Sequence, residues 1–260
     1  MARIGIVGFG YVGQAVANSY AHRTVIVRDP KLAHSACIEE FSKCSAIFVC
    51  VPSPELPNGD CDTSILTKVL DEFKHLPHLP IICKTTATPA TYKSLITYYP
   101  NIVHCPEFLT ASNHISDYKN ANYFVVGGNT AWVDRSIKVI ADGVPLPENN
   151  FLKTDIQTAA LYKYMMNCYL ASKVTFMNEF HNLASNLSIN WDNVVSLAKH
   201  DSRIGNSHMQ VPGPDGRFGW GGACFPKDTS AIIAEGMRVA SPMPFTEFIK
   251  DLNALQRNRG

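Results

Sequence analysis

Residues 219–228 read Gly-Trp-Gly-Gly-Ala-Cys-Phe-Pro-Lys-Asp and set one cysteine, Cys224, among small residues. A cysteine reacts as its thiolate, and a neighbouring cation favours that form. Lys227 stands three positions on and Asp228 four. The glycines remove side-chain bulk, so a ligand can approach the backbone there. The alternative at this point is a Gly-rich turn beside a structural cysteine. A second pair able to do chemistry is Lys163 and Asn167, four apart in a stretch with helical spacing. Residues so spaced share a helix face. A lysine and an amide there can bind a substrate oxygen together, or form a solvated surface.

A third motif is Gly8-Phe9-Gly10-Tyr11-Val12-Gly13. It follows the apolar run 3–7 and opens a helical pattern over 11–22. The next β-branched run, 24–27, ends at Arg28-Asp29. In that context the glycines have distinct tasks: Gly8 for a tight turn, Gly10 for approach of a pyrophosphate, Gly13 for packing of helix on sheet. The helix N-terminus favours the anion. Asp29 can accept hydrogen bonds from the adenosine ribose hydroxyls, which argues for NAD over NADP. Arg28 argues the other way, because an arginine there can meet a 2′-phosphate.

These residues need a scaffold, and the chain implies one. Apolar segments recur at 46–51, 80–83, 101–105 and 123–126, with helical spacing over 65–73 and 89–98. Buried strands alternating with amphipathic helices predict an α/β fold with an N-terminal doubly wound, Rossmann-type parallel sheet over residues 1–150. Ligands in such sheets sit beyond the carboxyl ends of the strands. Val51, Pro52 and Ser53, then Lys84-Thr85-Thr86, then Glu107, Phe108 and Leu109 occupy those ends. Thr86 can bond a cofactor or a reacting oxygen, or cap the helix beginning near Pro89. Glu107 is a general base or a solvated loop acid.

The second half, 151–260, reads as all-α. Residues 155–186 form a helical pattern without Gly or Pro, longer than an ordinary globular helix, which suggests a domain boundary or a subunit interface. Further helical patterns cover 191–199 and 244–258. A Gly- and Pro-rich loop over 211–221 leads to Cys224.

The net charge of +1 gives no pull toward nucleic acid or an anionic membrane. No apolar run is long enough to span a bilayer. The chain enters a strand pattern at once, without the apolar core of a signal peptide, so a cytoplasmic location is expected. The eight cysteines lack CxxC spacing and the nine histidines lack HExxH, so no metal site is expected.

Taken in order, these segments resemble the UDP-glucose/GDP-mannose 6-dehydrogenase family. The carriers are Gly8 to Gly13, Val51-Pro52-Ser53-Pro54, Lys84-Thr85-Thr86, Pro106-Glu107-Phe108-Leu109, the 161–179 helix, Asp201-Ser202-Arg203-Ile204-Gly205, and Gly221 to Asp228. Leu252-Asn253-Ala254-Leu255-Gln256 resembles the end of the family's middle domain. The resemblance implies NAD-dependent oxidation of a nucleotide-sugar alcohol to the acid through a thiohemiacetal and thioester on Cys224. Lys163 and Asn167 would stabilise the oxyanion, while Thr86, Glu107 and Asp228 would orient water and move protons. The cofactor would meet the glycine turn, Asp29, Val51, Pro52, Ser53, Thr86 and Lys227. The substrate would meet Glu107, Phe108, Leu109, Lys163, Asn167, Phe218, Gly219 and a neighbouring subunit's Arg203. The long helix would form a homodimer core.

The chain also departs from the family. The sequence runs to Gly260, and a compact form without the C-terminal UDP-binding domain of typical members is expected. Ala111 replaces an acid usually found four residues after Glu107, and residues 213–216 lengthen the loop before Cys224. Two other functions remain open: a β-hydroxyacid dehydrogenase making one hydride transfer without a thiol, and a non-catalytic dinucleotide-binding partner of another chain.

Overall fold

The computed structural model describes residues 3–258. The chain forms two compact units. Met1–Pro54 with Cys61–Lys163 make the first, and Glu55–Asp60 with Tyr164–Gly260 make the second.

The first unit is built on a seven-stranded sheet. Its strands are β1 (Arg3–Val7), β2 (Val25–Arg28), β3 (Cys44–Val49), β4 (Ile81–Cys83), β5 (Ile102–His104), β6 (Phe124–Gly128) and β7 (Phe151–Thr154). They lie in the order β2-β1-β3-β4-β5-β6-β7. Helices α1 (Tyr11–Ser19), α2 (Ser64–Glu72), α3 (Pro89–Tyr98), α4 (His114–Lys119) and α5 (Thr130–Gly143) connect them. Successive residues of a strand point to opposite faces, and β3 divides its side chains accordingly. Ile47 and Val49 join Leu66, Leu70, Phe73 and Tyr92 on one side; Ala46 and Phe48 join Tyr20, Ile82, Val103 and Tyr118 on the other. Both faces are therefore dry, which is why the strands read as continuous apolar runs.

The sheet departs from the all-parallel expectation at one joint. β6 runs antiparallel to β5, and β7 is parallel to β6. A parallel connection needs a crossover, usually a full helix. Between β5 and β6 the chain forms only the six-residue α4, so it turns back at the same end of the sheet. The 14-residue α5 then makes the missing crossover. The sheet also continues past residue 150 through β7, whose middle residues are exposed.

His104, at the end of β5, is fully buried. Its Nδ1 lies 3.1 Å from the Cys83 carbonyl and its ring stacks on Tyr92 with centroids 4.3 Å apart. Nε2 has no hydrogen-bond partner. Burial pushes the imidazole pKa down to about 3, so the folded state holds it neutral.

The second unit is helical. Helix α6 (Ile156–Asn186) runs unbroken for 31 residues, beginning in the first unit and ending in the second. Helices α7 (Trp191–Ala198), α8 (Phe225–Arg238) and α9 (Pro244–Arg257) follow. Polar side chains tie them together. Trp220 Nε1 donates to Thr175 Oγ1 at 2.9 Å, and Gln256 Nε2 to the Thr175 carbonyl at 3.0 Å. Asn253 pairs with both the N–H and the carbonyl of Trp220. Among the described residues no helix is long and apolar enough to cross a membrane.

His104 generates a pH prediction. Unfolded histidine titrates near 6.5, so the unfolded chain binds one more proton than the native state between about pH 6.5 and pH 3. Stability present above that window is lost as pH falls through it, by up to about 1.4 kcal/mol per pH unit. His104→Phe is expected to flatten this acid slope, as read from urea midpoints at pH 7, 5.5 and 4. An unchanged slope would refute the assignment.

Candidate active site

The glycine turn follows β1 as the spacing requires. Gly8 has φ +88°, and a Cβ there would stand 2.6 Å from the Cys50 carbonyl oxygen. A Cβ on Gly13 would overlap the Gly8 carbonyl. The protein's own backbone demands both glycines. Gly10 differs: it is the N-cap of α1, and a Cβ there meets nothing within 4 Å. That open space over a helix N-terminus suits a pyrophosphate. Phe9, Tyr11 and Val12 complete the turn, with the Tyr11 ring 5.1 Å from that of His114.

Asp29 closes the turn from β2. Its Oδ2 accepts the Phe9 N–H at 2.6 Å and its Oδ1 the Lys31 N–H at 2.8 Å. Arg28 is directed elsewhere: Nε donates to Glu72 Oε2 at 3.1 Å and Nη1 to the Ala36 carbonyl at 3.2 Å. The arginine that argued for NADP is thus engaged within the fold, and the residues at the turn fit NAD.

At the ends of β3 and β4 the hydroxyls do structural work. Ser53 Oγ donates to the Thr86 carbonyl at 2.6 Å, and Thr85 Oγ1 to the Val51 carbonyl at 2.8 Å. Pro52 is exposed between them. The cap of α3 is Thr88, whose side chain accepts the Thr91 N–H. Capping is therefore not the task of Thr86.

Glu107 is not a solvated loop acid, since its side chain is only 12% exposed. Oε1 accepts the Phe108 N–H at 2.6 Å, and Oε2 lies 3.3 Å from Lys84 Nζ. Lys84 stands at a strand end marked in the sequence, where no role was assigned to it. Its side chain is 1% exposed, and Nζ also lies 3.4 Å from Cys105 Sγ and over the rings of Tyr118 and Phe124. Burial alone would push this ammonium down, but Cys105 and Glu107 reverse that and hold its pKa above that of a free lysine. Lys163 Nζ donates to the Glu107 carbonyl and sits 4.7 Å above the Phe108 ring. Tyr162 flanks that ring edge-on and bonds Tyr123 through their hydroxyls at 2.9 Å. Leu109 packs on the core.

In the second unit Cys224 is exposed and forms the N-cap of α8. One turn later, Asp228 is 1% exposed. Its Oδ2 accepts Asn167 Nδ2 and its Oδ1 accepts Lys227 Nζ, both at 2.5 Å. Three residues chosen from the sequence thus meet on one carboxylate. Arg203 is exposed and forks Asp201, with Nε to Oδ1 at 2.9 Å and Nη2 to Oδ2 at 2.6 Å. The loop carrying it is pinned by Lys173, a residue the sequence did not mark. Lys173 is buried and donates to the carbonyls of Ile204 and Gly205 at 3.0 and 3.2 Å. Burial pushes its pKa down. Phe218 lies against His181, and the Gly219 N–H donates to Asn178 Oδ1 at 2.8 Å. These two anchor the loop that leads to Cys224.

Two domain models of the UDP-glucose/GDP-mannose dehydrogenase family match the chain: the NAD binding domain over residues 25–141 and the central domain over 157–255. A UDP-glucose 6-dehydrogenase of Rickettsia bellii is 31% identical over 204 residues, which is 75% of this chain and 45% of that protein. The chain spans about half the length of the curated relatives it matches. A UDP-glucose dehydrogenase structure from Pyrobaculum islandicum superposes with a TM-score of 0.84 at 23% identity, over 98% of this chain and 68% of that one. A 3-hydroxyisobutyrate dehydrogenase structure from Mycobacterium tuberculosis superposes with a TM-score of 0.70 at 15% identity, over 98% and 93%. Both structural likenesses show the fold alone.

The contrast among the glycines is testable. Gly10→Ala is expected to weaken NAD binding while changing stability by no more than about 1 kcal/mol, the range of an N-cap change. Gly13→Ala is expected to destabilise by about 1–3 kcal/mol, the range for overpacking. Asp29→Ala is expected to weaken NAD by about 1–3 kcal/mol. Calorimetric titration and thermal unfolding separate the effects. Equal stability losses at Gly10 and Gly13 would show that the space over Gly10 is not a ligand's.

Proposed function

Because this chain belongs to the UDP-glucose/GDP-mannose dehydrogenase family, we propose that it oxidises the C6 alcohol of a nucleotide sugar to the carboxylate, with Cys224 carrying the covalent steps. The observation behind this reading is Cys224 itself: exposed, at the start of α8, one turn before a buried carboxylate that Asn167 and Lys227 bind. A helix N-terminus favours negative charge, as a thiolate requires.

NAD, when bound at the glycine turn, accepts two electrons and a proton equivalent in each of two oxidations. The chain's own residues do the rest. After the first oxidation, the Cys224 thiolate adds to the aldehyde carbon and gives a thiohemiacetal. The second oxidation leaves a thioester. Water cleaves it, returning the thiol and releasing the acid. Lys163 and Asn167 are assigned to the oxygen that gains charge at each addition. Glu107, Thr86 and Asp228 are assigned to the water and its protons. Glu107 is suited to this because its side chain is largely buried, with one oxygen bound by the Phe108 N–H and the other facing Lys84. Phe108 offers an exposed ring face to a substrate. Arg203 has an exposed guanidinium tied only to its own loop, which suits a reach toward a neighbouring copy's substrate.

We assign the pairing of copies to α6. Along it Met165, Tyr169, Phe176, Phe180 and Leu183 each stand about half exposed, an apolar stripe at helical spacing that a twofold partner would cover. Eight free cysteines fit a reducing, cytoplasmic setting.

A β-hydroxyacid dehydrogenase would need no thiol and would yield one NADH per substrate. Two NADH per acid are expected here, counted in a screen of UDP- and GDP-sugars with mass-spectrometric trapping of the thioester. Cys224→Ser is expected to abolish acid formation and leave NAD affinity unchanged. Undiminished turnover in that variant would end the covalent reading.

A further inference from the structure

We propose that Lys84 is a positioning residue for the reaction, keeping the Glu107 carboxylate ionised and aimed. The inference rests on the reading of Glu107 as a proton-handling group. Its own basis is the pairing seen in the first unit. Lys84 ends β4 with a side chain 1% exposed, and its Nζ is 3.3 Å from Glu107 Oε2. The other Glu107 oxygen accepts the Phe108 N–H. One oxygen of the carboxylate is thus hydrogen-bonded, and the other faces the ammonium as an ion pair.

Other titratable groups surround this pair. Burial raises the thiols of Cys50, at the end of β3, and Cys105, after β5, against the pull of Lys84. Tyr118 on α4 is held protonated by burial. His104 is neutral. Lys163 on α6 reaches the Glu107 carbonyl. The lysine and the glutamate face each other as opposite charges in a dry setting. A buried ammonium is costly, and an apolar side chain would fill the same space at less cost to the fold. What the ammonium adds is the state of the carboxylate it faces.

The test uses the full chain labelled with [δ-13C]glutamate, with the Glu107 signal identified by its loss in Glu107→Gln. In Lys84→Met the titration midpoint of that signal is expected to rise by about one to three pH units, the effect of losing an opposite charge at this range. The acid limb of the turnover profile with UDP-glucose or GDP-mannose, as probes, is expected to move to higher pH by the same amount. Lys84→Arg should restore both. Lys84→Gln replaces the methionine variant if the latter does not fold. A midpoint that stays put, or one that moves while the acid limb does not, overturns the inference. Full turnover in Glu107→Gln instead overturns the reading of Glu107. If the wild type turns over neither probe, the titration alone judges the pairing.

Discussion

A charge taken out of water must meet its partner inside the fold, and both units are organised by that constraint. In the second unit the charge is Asp228. With 1% exposure it can lie where it does only because Asn167 on α6 and Lys227 beside it donate to its two oxygens. Those bonds fix the start of α8 against α6. Cys224, one turn earlier, inherits its place from them, since the Asp228 N–H bonds the Cys224 carbonyl at 2.9 Å. In the first unit the charge is Lys84, and its partner Glu107 is held in turn. Both arrangements are ion pairs whose members come from strand ends or helix starts, where a side chain can leave the core without breaking a ladder of backbone bonds.

The same constraint explains what was legible in the chain. The strands with two dry faces carried their own signal, and β1 through β5 stand where the apolar runs predicted. The glycine turn was legible because each glycine answers a separate steric need. The antiparallel joint was not, because nothing in the 105–123 segment marks a helix as too short to cross the sheet until its six residues are seen. β7 is brief and half exposed, which blurs its alternation. α5 had a usable signal that went unread: Val133, Ile137 and Ile140 follow each other at spacings of four and three and are all buried.

Lys84 and Lys173 show a deeper limit. A lysine in a sequence looks like surface, and burial with a partner is visible only in three dimensions. Lys84 did carry a hint, since it directly follows Ile81-Ile82-Cys83 at the end of a strand covered on both sides. A cation so placed has no solvent to point at, and the only question is which anion it meets. Lys173 carried none. Its acceptors are the backbone carbonyls of Ile204 and Gly205, about thirty residues away in the chain, and a carbonyl leaves no trace in residue identity.

The eight cysteines stand in contrasting settings. Reactivity follows the thiolate, and burial without a cation suppresses it. Cys44 is pushed up to about 11 by burial, and Cys83 and Cys168 to about 12. Cys50 and Cys105 are raised by the same cause, against the pull of Lys84. Cys37 is exposed, yet its hydrogen bond with the Glu39 side chain raises it as well. Cys61 lies within reach of the carbonyls of Thr86 and Ser53, to which its thiol donates. Among the described residues Cys224 alone combines exposure with the start of a 14-residue helix, where backbone N–H groups lack intrahelical acceptors. Burial makes the core thiols small hydrophobes, whereas Cys224 differs from them by its position rather than by any special residue. Of the glycines before it, Gly222 borders open space, while Gly219 and Gly221 leave room for Asn253 and Arg257.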